Sequence, residues 1–121
     1  GKNENARRRI TLTPTALSIW QAQEQETSSI YLFPGLKEQA YRRKFERYCQ
    51  SNGLPHCTPY ELRHTFVSAV QSMPEGWVKA IVGHSKNMDT FGVYAHQTAG
   101  MEEQIASRVE AIFTDILKGM A

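Results

Sequence analysis

Apolar positions recur along this chain in two rhythms. After the polar opening Gly1 to Asn5, Arg8, Ile10 and Leu12 alternate with Arg9 and Thr11, the period-two pattern of a strand. This predicts the second strand of a hairpin whose first strand is missing, and hence a chain that is a piece of a longer protein. Thr13-Pro14 then marks a helix start, with proline at the first helical position. Leu17, Ile19 and Trp20 fall within that helix, which runs into the polar stretch Gln21 to Ser29. Ile30-Tyr31-Leu32-Phe33 reads as a short apolar strand stopped by Pro34-Gly35.

From Lys37 to about Gln50 the rhythm becomes helical. Ala40, Tyr41, Phe45, Tyr48 and Cys49 recur on one side, basic residues lie mainly between them, and Asn52-Gly53 ends the run. Thr58-Pro59 opens a further helix carrying the stripe Leu62, Phe66 and Val70. Pro74-Glu75-Gly76 interrupts the chain before a short helix with Trp77, Val78, Ile81 and Val82, closed by Gly83. A last helix begins near Gly100, with Ile105, Val109, Ile112, Phe113, Ile116 and Met120 on one face. The pattern predicts one α+β domain, mostly α-helical, with a small β-hairpin or sheet in front of the helices.

Composition agrees with a single domain: 121 residues, 40% apolar and 21% charged. No apolar run approaches the roughly 20 residues of a membrane span, and the basic N-terminus has no apolar segment behind it, so neither a membrane partner nor a signal peptide is expected. Cys49 and Cys57 are the only cysteines and form no C-x-x-C pair, which argues against a disulfide framework and makes a cytoplasmic setting the default. His56, Cys57 and Cys49 are three scattered ligand types without a fourth, so no metal or other cofactor is expected.

Net charge changes the picture only once it is divided along the chain. Residues 1–50 hold nine Lys/Arg against five Asp/Glu, whereas residues 96–121 hold two against four. The positive charge gathers in Arg7-Arg8-Arg9 and in Arg42-Arg43-Lys44 with Arg47. Two readings of Arg42, Arg43 and Lys44 stand side by side: contacts to a DNA backbone, or an ordinary solvated helix face.

The chemistry concentrates between Thr58 and His96. Arg63 stands at the border of an apolar helix face, where a guanidinium either pairs with a carboxylate or meets an oxyanion. His84 follows the helix-ending Gly83, and Tyr94 lies ten residues further on. Taken singly, each has an ordinary structural explanation: an ion-pair partner, a cap, a core tyrosine. Their order is more specific. Leu62-Arg63-His64-Thr65, then Val82-Gly83-His84-Ser85 about twenty residues later, then Thr90 through Tyr94 to His96, closely resembles the tyrosine recombinase (phage integrase) family. The upstream stretch, with Lys2, Arg8, Ile10, Leu12 and Thr13 followed by the Ile30-to-Pro34 segment, is similar as well, so the resemblance covers the whole chain.

That resemblance implies the C-terminal part of a catalytic domain, residues 1–121, of the type found in DNA breaking–rejoining enzymes. It implies site-specific recombination of DNA, integrating or excising a bacterial phage or mobile element. Tyr94 would attack a scissile phosphate to give a 3′-phosphotyrosyl link and a free 5′-hydroxyl. Arg63 would hold nonbridging oxygens, His84 would donate to the same phosphate or move protons, and Lys2 occupies the place of the general acid. The implied partners are double-stranded DNA and three further copies in a tetramer, with no small-molecule substrate. His64 and His96 are implied to be structural, His64 packing inward. Residues 100–121 form the helix that such enzymes often dock on a neighbouring protomer; packing within its own chain is the equal alternative.

Two departures bear on activity. Tyr60 stands where the family most often has histidine; a phenol can donate a hydrogen bond to phosphate but, with a pKa of about 10, is a poor base near neutral pH. The family's first clamping arginine has no counterpart in residues 1–121. Removing a single oxyanion donor costs roughly 10²–10³ in rate, so the chain by itself is expected to be nearly inert. The rival readings are a non-catalytic DNA-binding module built on the helix pair around 58–83, a degenerate recombinase remnant, a type IB topoisomerase, and a protein-interaction domain using the last helix.

Overall fold

Val70 is fully buried, 0% exposed, and belongs to the core cluster of the described residues. The computed structural model describes residues 8–83 and 100–120. Within them, α1 spans Pro14–Gln25, α2 Glu38–Ser51, α3 Pro59–Ala69, α4 Glu75–Val82 and α5 Met101–Gly119. Among the described residues no helix is long and apolar enough to cross a membrane.

Each helix begins and ends for a local reason. The Thr13 hydroxyl accepts from the Ala16 N–H at 3.1 Å, with Pro14 behind it, at the start of α1. Glu61 reaches back to the Thr58 N–H at 3.1 Å, the carboxylate half of a capping box that opens α3. Helix α2 stops where Asn52 turns its amide onto the Tyr48 carbonyl at 2.8 Å and Gly53 takes a φ of 64°. Helix α4 stops at Gly83, whose φ of 75° belongs to the left-handed region that a side chain disfavours.

The core joins the end of α3, the turn after it, α4 and α5. Val70 and Met73 pack on Ile105 and Val109, flanked by Phe66, Trp77, Val78, Ile81, Met101, Ile112 and Phe113. The rings of Phe66 and Phe113 stack at 6.0 Å between centroids, tilted by only 14°. Helix α5 thus buries Ile105, Ala106 and Val109 within its own chain, while Ile116 and Met120 at its far end stay exposed. Of the stripe on α3, Phe66 and Val70 face this core; Leu62 is half exposed, at 50%.

The expected sheet is overturned: among the described residues there is no strand. A strand persists only when its backbone groups find a ladder, and neither segment has one. Residues 8–13 form no regular element, and their bonds to the rest of the chain run from side chains to helices. Arg8 Nε donates to the Ile81 carbonyl at 2.7 Å, and the Thr11 hydroxyl donates to Glu102 at 3.2 Å. Residues 28–33 bend instead of running straight. Ser29 N–H donates to the Thr27 hydroxyl at 3.1 Å and Tyr31 N–H to the Ser29 hydroxyl at 3.0 Å, local bonds that compete with a ladder. Ile30 consequently lies 93% exposed.

The front of the chain is fastened to the core by polar clasps. Beyond Arg8 and Thr11, the Thr15 N–H and hydroxyl both donate to the Glu110 carboxylate, at 3.1 and 2.5 Å. Under these clasps lies an apolar cleft of about 460 Å³, bounded by Ile10, Leu12 and Ile19 on one side and Phe66, Ile105 and Phe113 on the other. Helix α1 buries none of its residues, because its apolar side chains border this cleft or face outward instead of filling the core.

Two kinds of outcome test this description, the first concerning packing. Val70→Ala should cost about 1.5–2.5 kcal/mol, seen as a lower urea midpoint at unchanged slope. Ile30→Ala should stay within about 0.5 kcal/mol, whereas a buried strand residue would cost several times more. The second concerns acid. The Thr15 hydroxyl, then its N–H, then the Thr13 hydroxyl hold the Glu110 carboxyl below its ordinary range, partly opposed by burial. A lowered folded pKa means stability that is present above the ordinary carboxylate range and lost as pH falls through the folded value. Amide exchange in α1 should therefore quicken below about pH 4, and Glu110→Gln should flatten that pH dependence.

Candidate functional site

Arg63 is on the inward-leaning side of α3, half-buried. The sequence puts it there: Phe66 and Val70 direct one side of α3 into the core, and Arg63, three residues ahead of Phe66, follows that side to its edge. One of its Nη atoms donates to the Val82 carbonyl. Arg8, from the front segment, donates to the neighbouring Ile81 carbonyl. The Gly83 N–H takes the Lys79 carbonyl at 2.8 Å. The last carbonyls of a helix have no partner within the helix and carry its partial negative charge. Two guanidiniums from distant parts of the chain meet that need at adjacent residues.

This arrangement has a chemical consequence. A guanidinium carries five N–H groups in a rigid fork, and the bond to Val82 uses one end of it. The carbonyl fixes the fork without neutralising it, since a backbone oxygen carries no formal charge. Among the described residues no carboxylate pairs with Arg63, so the positive charge is held in place and remains able to receive an oxyanion in bidentate fashion. It lies where the chain leaves α4 through Gly83, and His84 is the next residue in sequence.

The other expected residues fall out differently. Tyr60 is on α3 three residues before Arg63 but is 65% exposed, its ring edge-on to His64 at 5.2 Å and 74°. His64, expected to pack inward, is exposed; four residues after Tyr60, it shares that residue's outward face instead of the face of Phe66. Arg42, Arg43 and Lys44 are exposed on α2, where Arg42 lies 3.6 Å from Glu38 in a loose i,i+4 pair. Among the described residues no hydrogen bond or ion pair joins that triplet to Arg63. Lys2, His84, Tyr94 and His96 lie outside the described residues. No group of three or more His, Cys, Asp or Glu that could hold a metal occurs among the described residues.

Arg8 is the residue that reading the sequence left in a generic basic cluster. The signal was present in its alternation with Ile10 and Leu12, which puts Arg8 on the same side of an extended segment as two residues that border the cleft. If Arg63 caps α4 as described, Arg63→Ala should raise amide exchange over the last turn, residues 80–83, about tenfold or more. A bond from a charged donor is worth roughly 1.5–3 kcal/mol. Exchange at the start of α2 should not change, and mass-spectrometric exchange of the two segments checks both.

Compared with known proteins, the chain matches no family model, no curated protein and no solved structure.

Proposed function

We propose that this chain is the C-terminal part of a tyrosine recombinase catalytic domain, cutting and rejoining DNA through a 3′-phosphotyrosyl link. The observation that carries the reading is the ordered set Arg63, Gly83-His84 and Tyr94. The place of Arg63 supports it: a half-buried guanidinium with no carboxylate partner, fixed by the Val82 carbonyl at the end of α4, suits a phosphate better than it suits an ordinary structural ion pair.

In this reading Tyr94 supplies the nucleophile. Its oxygen forms a bond to phosphorus, the 5′-oxygen leaves with a proton, and the phosphodiester energy is kept in the covalent link, so rejoining needs no nucleotide. A phenol is a weak nucleophile at neutral pH and depends on charge stabilisation around the phosphate. Arg63 provides that through its free fork edge, His84 donates to the same phosphate, and Lys2 protonates the leaving oxygen. Tyr60 donates a hydrogen bond and does not serve as a base. The exposed Arg42, Arg43 and Lys44 contact the DNA backbone, and four copies act together on two duplexes in a bacterial cytoplasm.

A degenerate remnant that binds DNA without cutting it is the second reading, favoured by Tyr60, which stands exposed where a histidine would serve as base. One experiment separates them. The protein that carries this sequence is incubated with nicked duplexes spanning the element's junctions, and an SDS-resistant adduct at the 3′ end is sought. The recombinase reading expects an adduct that Tyr94→Phe abolishes and that Arg63→Ala slows by roughly 10²–10³. An adduct surviving in Tyr94→Phe refutes the nucleophile. DNA binding with no adduct selects the remnant.

A further inference from the structure

Helix α4 is only eight residues long, and a helix that short frays unless the carbonyls of its last turn find partners. Among the described residues three groups reach them. The Gly83 N–H takes the Lys79 carbonyl at 2.8 Å, Arg8 Nε takes that of Ile81 at 2.7 Å, and an Nη of Arg63 takes that of Val82. The first bond is local and comes with a helix closed by a left-handed glycine. The second spans 73 positions of sequence. Successive helix carbonyls differ by about 1.5 Å along the axis, so two guanidiniums lie at one helix end. Like charges repel, and one cation, or water, is enough to meet the negative end of a two-turn helix. The doubling points to a second role.

We propose that Arg8 is a positioning residue for DNA cleavage: it holds the last turn of α4 so that the Val82 carbonyl aims the Arg63 guanidinium at the scissile phosphate. This role rests on the recombinase reading given above. Arg63 is half-buried on α3, and its bond to Val82 orients the fork. An arginine stem has many rotamers, and a bond to a fraying carbonyl selects none of them. Arg8 steadies that carbonyl from the adjacent residue with a charged donor, whose bonds are roughly twice as strong as neutral ones. Phosphate takes a guanidinium best through two parallel bonds. A misplacement of about 1 Å spoils that geometry, and an error of this size costs up to about 10²-fold in rate.

Positioning differs from two other uses of the same charge. If Arg8 met the DNA backbone, its loss would weaken binding and reduce the salt dependence of binding by about one phosphate contact. If it only stabilised the fold, its loss would lower the melting temperature and leave the rate on bound DNA unchanged. A residue that acts through Arg63 leaves binding alone, governs the step after it, and matters only while Arg63 is present.

The test follows adduct formation by the protein that carries this sequence, in saturating excess over the nicked junction duplexes, with duplex affinity measured in parallel at two salt concentrations. Rates are taken on the bound complex, so a variant that folds only in part still reports. Arg8→Met should slow adduct formation about tenfold to a hundredfold, with affinity and its salt dependence unchanged, and Arg8→Lys should restore most of the rate. In an Arg63→Ala background Arg8→Met should add less than about threefold. Should Arg8→Met not fold, Arg8→Gln, whose side chain is shorter and uncharged, is expected to slow the same step. An adduct formed at the unaltered rate by Arg8→Met or Arg8→Gln overturns the role of Arg8 alone and leaves the recombinase reading standing. So does a loss confined to affinity, or a full loss that persists in the Arg63→Ala background. No adduct from the unaltered protein overturns the reading and this role together.

Discussion

The packing of Val70 and Met73 against Ile105 and Val109 holds the molecule together, because it joins the turn after α3 to a helix that begins some thirty residues later. Burial of apolar surface is the dominant favourable contribution to folding, and among the described residues it is concentrated mainly in that cluster. Phe66 and Phe113 extend it along α3 and α5, while Trp77, Val78 and Ile81 bring in α4. With α3 and α4 locked to the same helix, the distance from Arg63 to the end of α4 is fixed, and the guanidinium reaches the Val82 carbonyl. The placement of Arg63 is thus a consequence of the core.

A second layer is polar. Arg8, Thr11 and Thr15 reach Ile81, Glu102 and Glu110, attaching the front of the chain to α4 and α5 over a cleft that no side chain fills. Individual hydrogen bonds at half-exposed positions contribute modestly, about 0.5–1.5 kcal/mol each. This attachment is therefore weaker than the core and responsive to pH through Glu110. Arg8 belongs to both layers, fastening the front segment and covering a carbonyl at the end of α4. Two cations at one helix terminus also suit the negative end of its dipole, so structural capping and a capacity to receive an anion arise from the same placement.

The proposed chemistry draws on a helix, α3, whose two ends are set by different forces. Its N-terminal end is held by Thr58 and the capping Glu61; one turn after Pro59, Arg63 reaches the end of α4. The fold thus separates the part of α3 that is set by burial from the part that is set by local polar interactions.

Helix positions were legible from the sequence because their signals are local. Thr13-Pro14, Thr58-Pro59, Asn52-Gly53 and Gly83 act within one turn, and the helices begin and end within a residue or two of where these predict. The stripe on the last helix likewise gave Ile105 and Val109 as core. The sheet was misread for a related reason: alternation at Ile10 and Leu12 describes a segment with one apolar side, and whether that segment pairs with a strand or lies along helices depends on a partner that the pattern does not contain. The roles of Arg63 and Arg8 at the end of α4 were decided by tertiary structure alone. Each depends on two segments far apart in sequence arriving at one place, and it is the burial of Val70 against α5, not any local propensity, that brings α3, α4 and α5 there.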